Sequence, residues 1–287
     1  MSARNKKMTL KPRIVALLLA LSTLAAHAGL ARAAEAEQPP RNKWSFAGPF
    51  GVYDRAQLQR GLKVYREVCS VCHGLSYISF RNLAEPGGPE FTRAQAAAIA
   101  AEYKIQDGPN DQGEMFERPG RPADKFPTPW KNEPEARTRY NGAVPPDLSV
   151  IAKARTYERG FPWFIVDIFT QFQEQGVDYL VALLHGYENE PQGFALPPGT
   201  QYNKYFPGHA IAMPKPLEDG RVEYSDGTPA TLDSYSKDVA AFLMWTAEPH
   251  MEARKRIGFQ VMLFLLVFAG LLYFVKKKVW SGVPETS

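Results

Sequence analysis

Nineteen consecutive residues, 257–275, carry no charge, and that run limits what the rest of the chain can be. Its length matches the ~20 apolar residues that a bilayer's hydrocarbon core requires of one helix. Arg254-Lys255-Arg256 precedes it and Lys276-Lys277-Lys278 follows. Tyr273 and Trp280 lie near the far boundary, where amphipathic rings settle between water and lipid. A buried core helix would not be fenced by cations at both ends, so the run is read as one transmembrane anchor. Three cations on each side leave its orientation to other signals.

Those signals are at the other end. Residues 1–33 bring Arg4, Lys6, Lys7, Lys11 and Arg13, then an apolar run from Ile14 to Leu24, then two small-residue exits, Ala26-His27-Ala28 and Ala31-Arg32-Ala33. This is the layout of a cleavable export signal, and about 11 apolar residues are too few to span a bilayer. The sequence therefore divides into a signal over 1–33, an exported head over 34–253, and an anchor with a short cytoplasmic tail over 254–287. The mature chain starts near Ala34. The absence of an Arg/Ser-rich organellar leader points to a bacterial inner membrane, with the head in the periplasm.

Charge has to be read by segment. The whole chain has 34 Lys+Arg against 30 Asp+Glu, net +4. Signal and anchor hold twelve of those cations, which are assigned to the membrane, and only one acid, Glu285. The head keeps 22 basic and 29 acidic residues, net −7. An acidic head argues against nucleic acid as a partner and for a positively charged one. Acids gather at Asp107, Asp111, Glu114 and Glu117, and again at Glu188 and Glu190. With 12% aromatic and 22% charged residues, the composition is that of a folded chain rather than a disordered one. Two cysteines exclude a disulfide-stapled scaffold and a four-cysteine zinc site.

The head shows no internal repeat and reads as mainly α with long proline-rich loops. Asp54 with Gln57 is a helix start, and Leu58, Leu62, Tyr65, Cys69 and Cys72 then recur at helical spacing, so the first helix is expected to run from about Arg55 into the cysteine pair. Ten prolines over 86–146 predict ordered loop there, except for an alanine-rich helix over 92–104. Residues 161–184 are the most apolar part of the head but are interrupted by Asp167 and Gln171 and closed by Glu174, which predicts a buried or interfacial helix rather than a second span. A last helix starts near Asp233, turns Tyr235, Val239, Phe242 and Trp245 inward, and is broken by Pro249.

The chemistry lies in Cys69-Ser70-Val71-Cys72-His73, a C-x-x-C-H motif. The two-residue gap lets both thiols form thioethers with the vinyl groups of one haem, and the adjacent histidine can bind the iron. The other ring nitrogen then needs an acceptor, usually a backbone carbonyl. No further Cys or His pair completes a zinc site, and no βαβ context suggests a thioredoxin-like dithiol. For the sixth iron position, Met244 falls in the core helix, His250 and Met251 beside the anchor, and Met115 in an acidic loop. His185 is a further side chain of the right type. Met213 and His209 remain within Phe206-Pro207-Gly208-His209-Ala210-Ile211-Ala212-Met213-Pro214, where glycine allows a tight turn and small residues allow close approach. Chemistry favours the thioether, which raises the reduction potential of an electron carrier, but a bis-histidine site would also work. Filled axial positions imply single-electron transfer rather than catalysis at iron.

Four further segments carry a resemblance: Asn141-Gly142-Ala143-Val144-Pro145-Pro146-Asp147-Leu148-Ser149, Tyr205 through Met213, Asp226-Gly227-Thr228-Pro229-Ala230-Thr231, and Trp245-Thr246-Ala247-Glu248-Pro249. With Tyr65 through His73 they resemble, in order, the cytochrome c1 family, the anchored haem subunit of ubiquinol–cytochrome c reductase. The resemblance implies one covalent haem c on Cys69 and Cys72, axial ligands His73 and Met213, and Arg155 paired with a haem propionate. It implies cytochrome b as membrane neighbour, the Rieske iron–sulfur protein as electron donor, and a soluble basic cytochrome c or c2 as acceptor. Residues 156–178 are longer than the mitochondrial pattern. A free-standing anchored c-type cytochrome and an exported thiol–disulfide enzyme are the competing readings.

Overall fold

The computed structural model describes residues 36–157, 161–170 and 174–282. The export signal read over 1–33, with its cleavage point, lies outside them. In the head, α1 (Arg55–Glu67) is capped by Asp54, whose Oδ1 accepts the Gln57 N–H at 3.2 Å, and it leads into a 3-10 turn, Cys69–Val71. There follow β1 (Leu75–Ser79), a 3-10 turn (Phe80–Ala84), α2 (Arg93–Ala101), the hairpin β2 (Lys104–Asp107) and β3 (Phe116–Pro119), and β4 (Lys125–Phe126), which pairs antiparallel with β1. The chain continues through α3 (Glu133–Arg139), α4 (Ile151–Ala154), α5 (Trp163–Thr170), α6 (Gln175–His185), the antiparallel pair β5 (Gln201–Tyr202) and β6 (Ala210–Ile211), and α7 (Leu232–Ala247). The last helix, α8 (Met251–Trp280), is 30 residues long and apolar enough to cross a membrane.

The head is mainly helical and its centre is α7, against which α1, α4 and α6 all pack. Tyr235, Val239, Phe242 and Trp245 are buried as their spacing predicts, and Met244 joins them in the core. Thr231 caps this helix through the Ser234 N–H. Gly61 sets how closely α1 crosses α7: a Cβ there would run into the Asp238 carbonyl oxygen and lie 2.6 Å from Phe242 Cβ. Gly61→Ala is therefore expected to lower the melting temperature measurably, at a cost of about 1–3 kcal/mol typical of overpacking. Thermal denaturation followed by circular dichroism reads this, and an unchanged melting point would mean that the two helices can separate without loss.

Two helix ends need correction: α1 stops at Glu67 and the cysteines lie on a 3-10 turn, rather than the helix running into the cysteine pair. The alanine-rich helix stops at Ala101 rather than at residue 104, because Lys104 pairs with Pro119 and Gly120 N–H donates to the Tyr103 carbonyl. Most of the proline-rich stretch is ordered loop, as its proline count predicts, with short regular pieces set in it. It holds the β2–β3 hairpin and α3, whose Asn132 side chain accepts the Glu135 N–H at 3.0 Å and whose Pro134 sits in the first turn. Proline in a first turn loses no helical hydrogen bond, so it marks a start as readily as a break. The apolar region over 161–184 contains two helices: α6 is largely buried, while in α5 Trp163, Ile165 and Val166 are exposed.

The junction with the anchor is tied by ion pairs. Glu248, just after α7, accepts from Lys153 of α4 at 2.7 Å and from Arg254 of α8. Glu252 takes Arg55 at 2.7 Å and the Tyr53 N–H at 2.8 Å. Lys255 Nζ donates to the carbonyls of Phe46 at 2.6 Å and Gly51 at 3.2 Å. The sequence reading gave these cations to the membrane; two of the three before the span are instead turned into the head.

Candidate haem-attachment site

The C-x-x-C-H motif occupies the turn that ends α1. Cys72 and His73 both donate their N–H to the Cys69 carbonyl, at 3.1 and 2.9 Å, so the loop closes on itself directly after the helix. Tyr65, buried one turn earlier, donates its hydroxyl to the His73 carbonyl at 3.0 Å, and the Tyr140 hydroxyl bonds the Val71 carbonyl at the same distance. Cys69 and Cys72 are not joined to each other, and both are half-buried on this turn with His73.

His73 Nδ1 lies 2.7 Å from the Pro146 carbonyl oxygen. A carbonyl only accepts, so Nδ1 carries the proton and Nε2 keeps its lone pair free for a metal. Burial lowers the histidine pKa, against a smaller upward push from the Pro146 bond and Asp147, which favours the neutral imidazole a ligand must be. Burial pushes the Cys69 thiol up to about 12. The donor set thus fits haem attachment: two thiols unlinked to each other on one turn, beside an imidazole locked in the correct tautomer.

The Pro146 carbonyl is held by a ladder of contacts along residues 146–149. Leu148 N–H donates to the Gly74 carbonyl at 2.9 Å, and Tyr77 N–H donates to Ser149 Oγ at 3.1 Å. Asp147 accepts from Ser76 N–H and Ser149 N–H, each at 2.8 Å. Burial alone would raise the Asp147 pKa, but these bonds outweigh it and hold the carboxyl below its usual range. A carboxylate depressed in the folded state stabilises the fold above its unfolded pKa of about 3.9, and that contribution is lost as pH falls through the folded value. Asp147→Asn should therefore flatten the acid limb of the stability curve below about pH 4, and a limb of unchanged steepness would mean that other carboxylates govern acid unfolding.

The Met213 loop is carried by α6 and the β5–β6 pair. Gly208 and His209 both adopt positive φ, 76° and 61°, and reverse the chain so that β6 can return along β5. Asn203 Nδ2 ties this hairpin to the end of α6 through the Leu183 carbonyl at 2.8 Å. Tyr187 donates its hydroxyl to the Met213 carbonyl at 3.1 Å, leaving the half-buried thioether outside the backbone network. His209 is stacked on Tyr202, ring centroids 5.4 Å apart, with Phe194 edge-on. Of the other side chains weighed, His185 is bonded to Ser236 at 2.9 Å, Met244 and Met251 are fully buried, and Met115 lies exposed in the β2–β3 loop.

Arg155 caps the C-terminus of α4, six residues beyond Ser149, and its side chain is exposed. Its charge slightly offsets the upward push that burial gives the Tyr179 hydroxyl of α6. Sequence reasoning missed Tyr65, Tyr140, Tyr187 and Pro146 as supports. Each acts over a separation no local pattern encodes, up to 73 residues for the His73–Pro146 bond. The acidic clusters are thinner than they read. Arg118 takes Asp107 and Asp124, Lys104 faces Glu117 at 3.9 Å, and Lys204 takes Glu188 at 2.6 Å. Asp111, Glu114 and Glu190 have no ion pair among the described residues.

A helical head that presents two thiols and a tautomer-locked imidazole on one turn, carried on a single apolar helix, defines the class: an anchored haem protein. Residues 44–283 match the model of the Cytochrome C1 family. The chain is 69% identical over 253 residues to the cytochrome b/c1 of Bradyrhizobium diazoefficiens, covering 88% of this chain and 37% of that longer protein. It is 52% identical to the cytochrome c1 of Blastochloris viridis, covering 97% of this chain and 99% of the relative. A relative from Solanum tuberosum, named a mitochondrial cytochrome c1 haem protein, is 43% identical over 91% of this chain and 94% of its own length. The chain belongs to the cytochrome c1 family, in its bacterial form.

Proposed function

We propose that this chain is the electron-carrying subunit of a bacterial ubiquinol–cytochrome c reductase, taking electrons from a Rieske iron–sulfur protein and delivering them to a soluble, basic cytochrome c or c2, with cytochrome b as its neighbour in the membrane. One haem c, bound through thioethers to Cys69 and Cys72, supplies the one-electron couple. The observation that carries this reading is the His73 Nδ1–Pro146 bond at 2.7 Å, which prepares Nε2 as an axial ligand beside two unlinked thiols. Met213 is proposed as the second side chain that would bind the iron; its carbonyl is fixed by Tyr187 and its side chain is half-buried. Arg155, exposed at the end of the segment that orients His73, is proposed to pair with a propionate.

The chain's own residues then divide the work. Tyr65, Tyr140 and the 146–149 ladder orient the attachment turn; Tyr187 and Asn203 hold the Met213 loop; α7 backs α1, which leads into the turn, and α6, to which the loop's hairpin is tied. With His73 and Met213 holding the iron, the site would serve electron transfer rather than substrate chemistry. The proposed topology has residues 1–33 removed on export, the head in the periplasm and Lys276–Lys278 in the cytoplasm. The net −7 of the head favours encounter with a cationic carrier, through attraction that weakens as salt rises.

Mild detergent extraction tests the proposal. The purified complex should contain a b-type haem subunit and an iron–sulfur protein, and this chain should retain its haem after denaturation. Repeated recovery of the chain alone, with haem still attached, would favour a free-standing anchored cytochrome. Recovery with two titratable thiols and no haem would overturn the electron-transfer reading.

A further inference from the structure

Helix α5 lies in the 156–178 segment, away from the hydrogen bonds that hold the attachment turn and the Met213 loop among the described residues. Its sequence, Trp163 to Thr170, contains one ionisable residue, Asp167, and that carboxylate is buried and accepts from Gln175 Nε2 at 2.7 Å. Four apolar side chains here are turned outward: Phe161 is 81% exposed, Trp163 49%, Ile165 44% and Val166 45%. A water-facing helix would show the opposite arrangement, charge outward and apolar groups inward.

The position of α5 shows what it meets. Both stems of its segment are rooted at the junction between head and anchor. On the N-terminal side, Lys153 is bonded to Glu248, which also holds Arg254 at the start of α8, and Thr156 is bonded to Gln175. On the C-terminal side, Glu174 pairs with Arg41 at 2.9 Å, and Asp178 accepts from Asn42 and Trp44. That strand of residues runs on to Phe46, whose carbonyl receives Lys255 of the anchor. A second exposed apolar element borders the same place: Phe50, 72% exposed, meets Phe259 of α8 with ring centroids 5.5 Å apart, and Val52 follows it. Between Arg256 and Phe259 the anchor changes from charged to apolar, and there the bilayer boundary must lie.

We propose that α5 is a membrane-surface helix, which together with Phe50 and Val52 embeds Phe161, Trp163, Ile165 and Val166 in the head-side boundary of the bilayer beside the anchor. Continuity with the span selects lipid as the occupant, and Trp and Phe are side chains suited to that boundary. Arg254 and Lys255 being held by the head, contact with lipid at this level passes to apolar side chains instead of cations. The anchor with this second contact fixes the tilt and height of the head over the membrane, which one helix alone cannot do. The inference rests on α8 crossing the bilayer and is independent of the haem assignment.

Photoactivatable phosphatidylcholine tests it in native membranes containing the intact complex, with the diazirine placed either near the glycerol or at the acyl end. Adducts are mapped by peptide mass spectrometry. The shallow reagent is expected to label peptides 50–52 and 161–166 to the extent of the Phe259 peptide and about tenfold above the β2–β3 loop, as insertion by about 5–10 Å requires. The deep reagent should label only the middle of α8. Labelling of 161–166 at the level of the β2–β3 loop, with Phe259 labelled, would overturn the proposal in favour of a water-facing helix. Exclusion of lipid from 161–166 with cross-links to another polypeptide would overturn it in favour of a protein contact. An unlabelled α8 would overturn it at its premise, by removing the span.

Discussion

Replacing Met213 with leucine should lower the midpoint potential of the bound haem by on the order of a few hundred mV, a substantial part of the ~0.8 V range that axial ligands command. Leucine has nearly the volume of methionine, so the loop between β6 and Leu217 should keep its packing, and the haem should stay attached through Cys69 and Cys72. What is lost is a thioether, a ligand that favours reduced iron; without it the oxidised state gains and electron delivery to a soluble carrier slows or stops. His209→Ala is the matched control. Its ring is stacked on Tyr202 and lies near the Asn203 carbonyl at 3.3 Å, so its removal should loosen the hairpin and leave the potential in place. A redox titration of both variants decides the matter. If Met213→Leu leaves the potential unchanged while His209→Ala shifts it, the ligand is the histidine.

The second large effect is expected from the cysteines. Cys69→Ser together with Cys72→Ser should leave no haem on the chain after denaturation, and the complex should lose its c-type absorbance while His73 is still present. Serine oxygen does not form the thioether, and an imidazole alone holds haem only by a reversible bond. Cys69 packs against the core and sits at the end of a helix whose buried residues meet α7, so some loss of thermal stability should accompany the change. Haem that survives denaturation in the double variant would place covalent attachment elsewhere and dismiss the motif. Each single variant should retain one thioether and an intermediate yield.

Much of this protein was legible in the residues. The C-x-x-C-H turn, the capped α1 before it, the inward face of α7 and the anchor all follow from spacing within a few turns, and the structure carries each of them. The proline-rich region is mostly loop as its prolines indicate, but counting prolines does not distinguish one that opens a helix, such as Pro134, from one that ends it. The acidic clusters were read too generously. Asp107 and Glu117 look free along the chain, yet Arg118 and Lys104 reach them across one hairpin. The cations before the span show the same limit, since Arg254 and Lys255 meet partners as far as 209 residues away.

By itself, then, the sequence determined the kinds of element and the chemistry offered: a helix ending in two thiols and an imidazole, an apolar span, an acidic head. These depend on local spacing and side-chain type, which any short window contains. Only the tertiary structure decided which carbonyl fixes the His73 tautomer, which tyrosine holds Met213, which charges are spent on one another and which apolar helix is left facing outward. Those outcomes depend on what the fold brings across tens to hundreds of residues. A hydrogen bond or ion pair acts over a few ångströms of space whatever the separation along the chain.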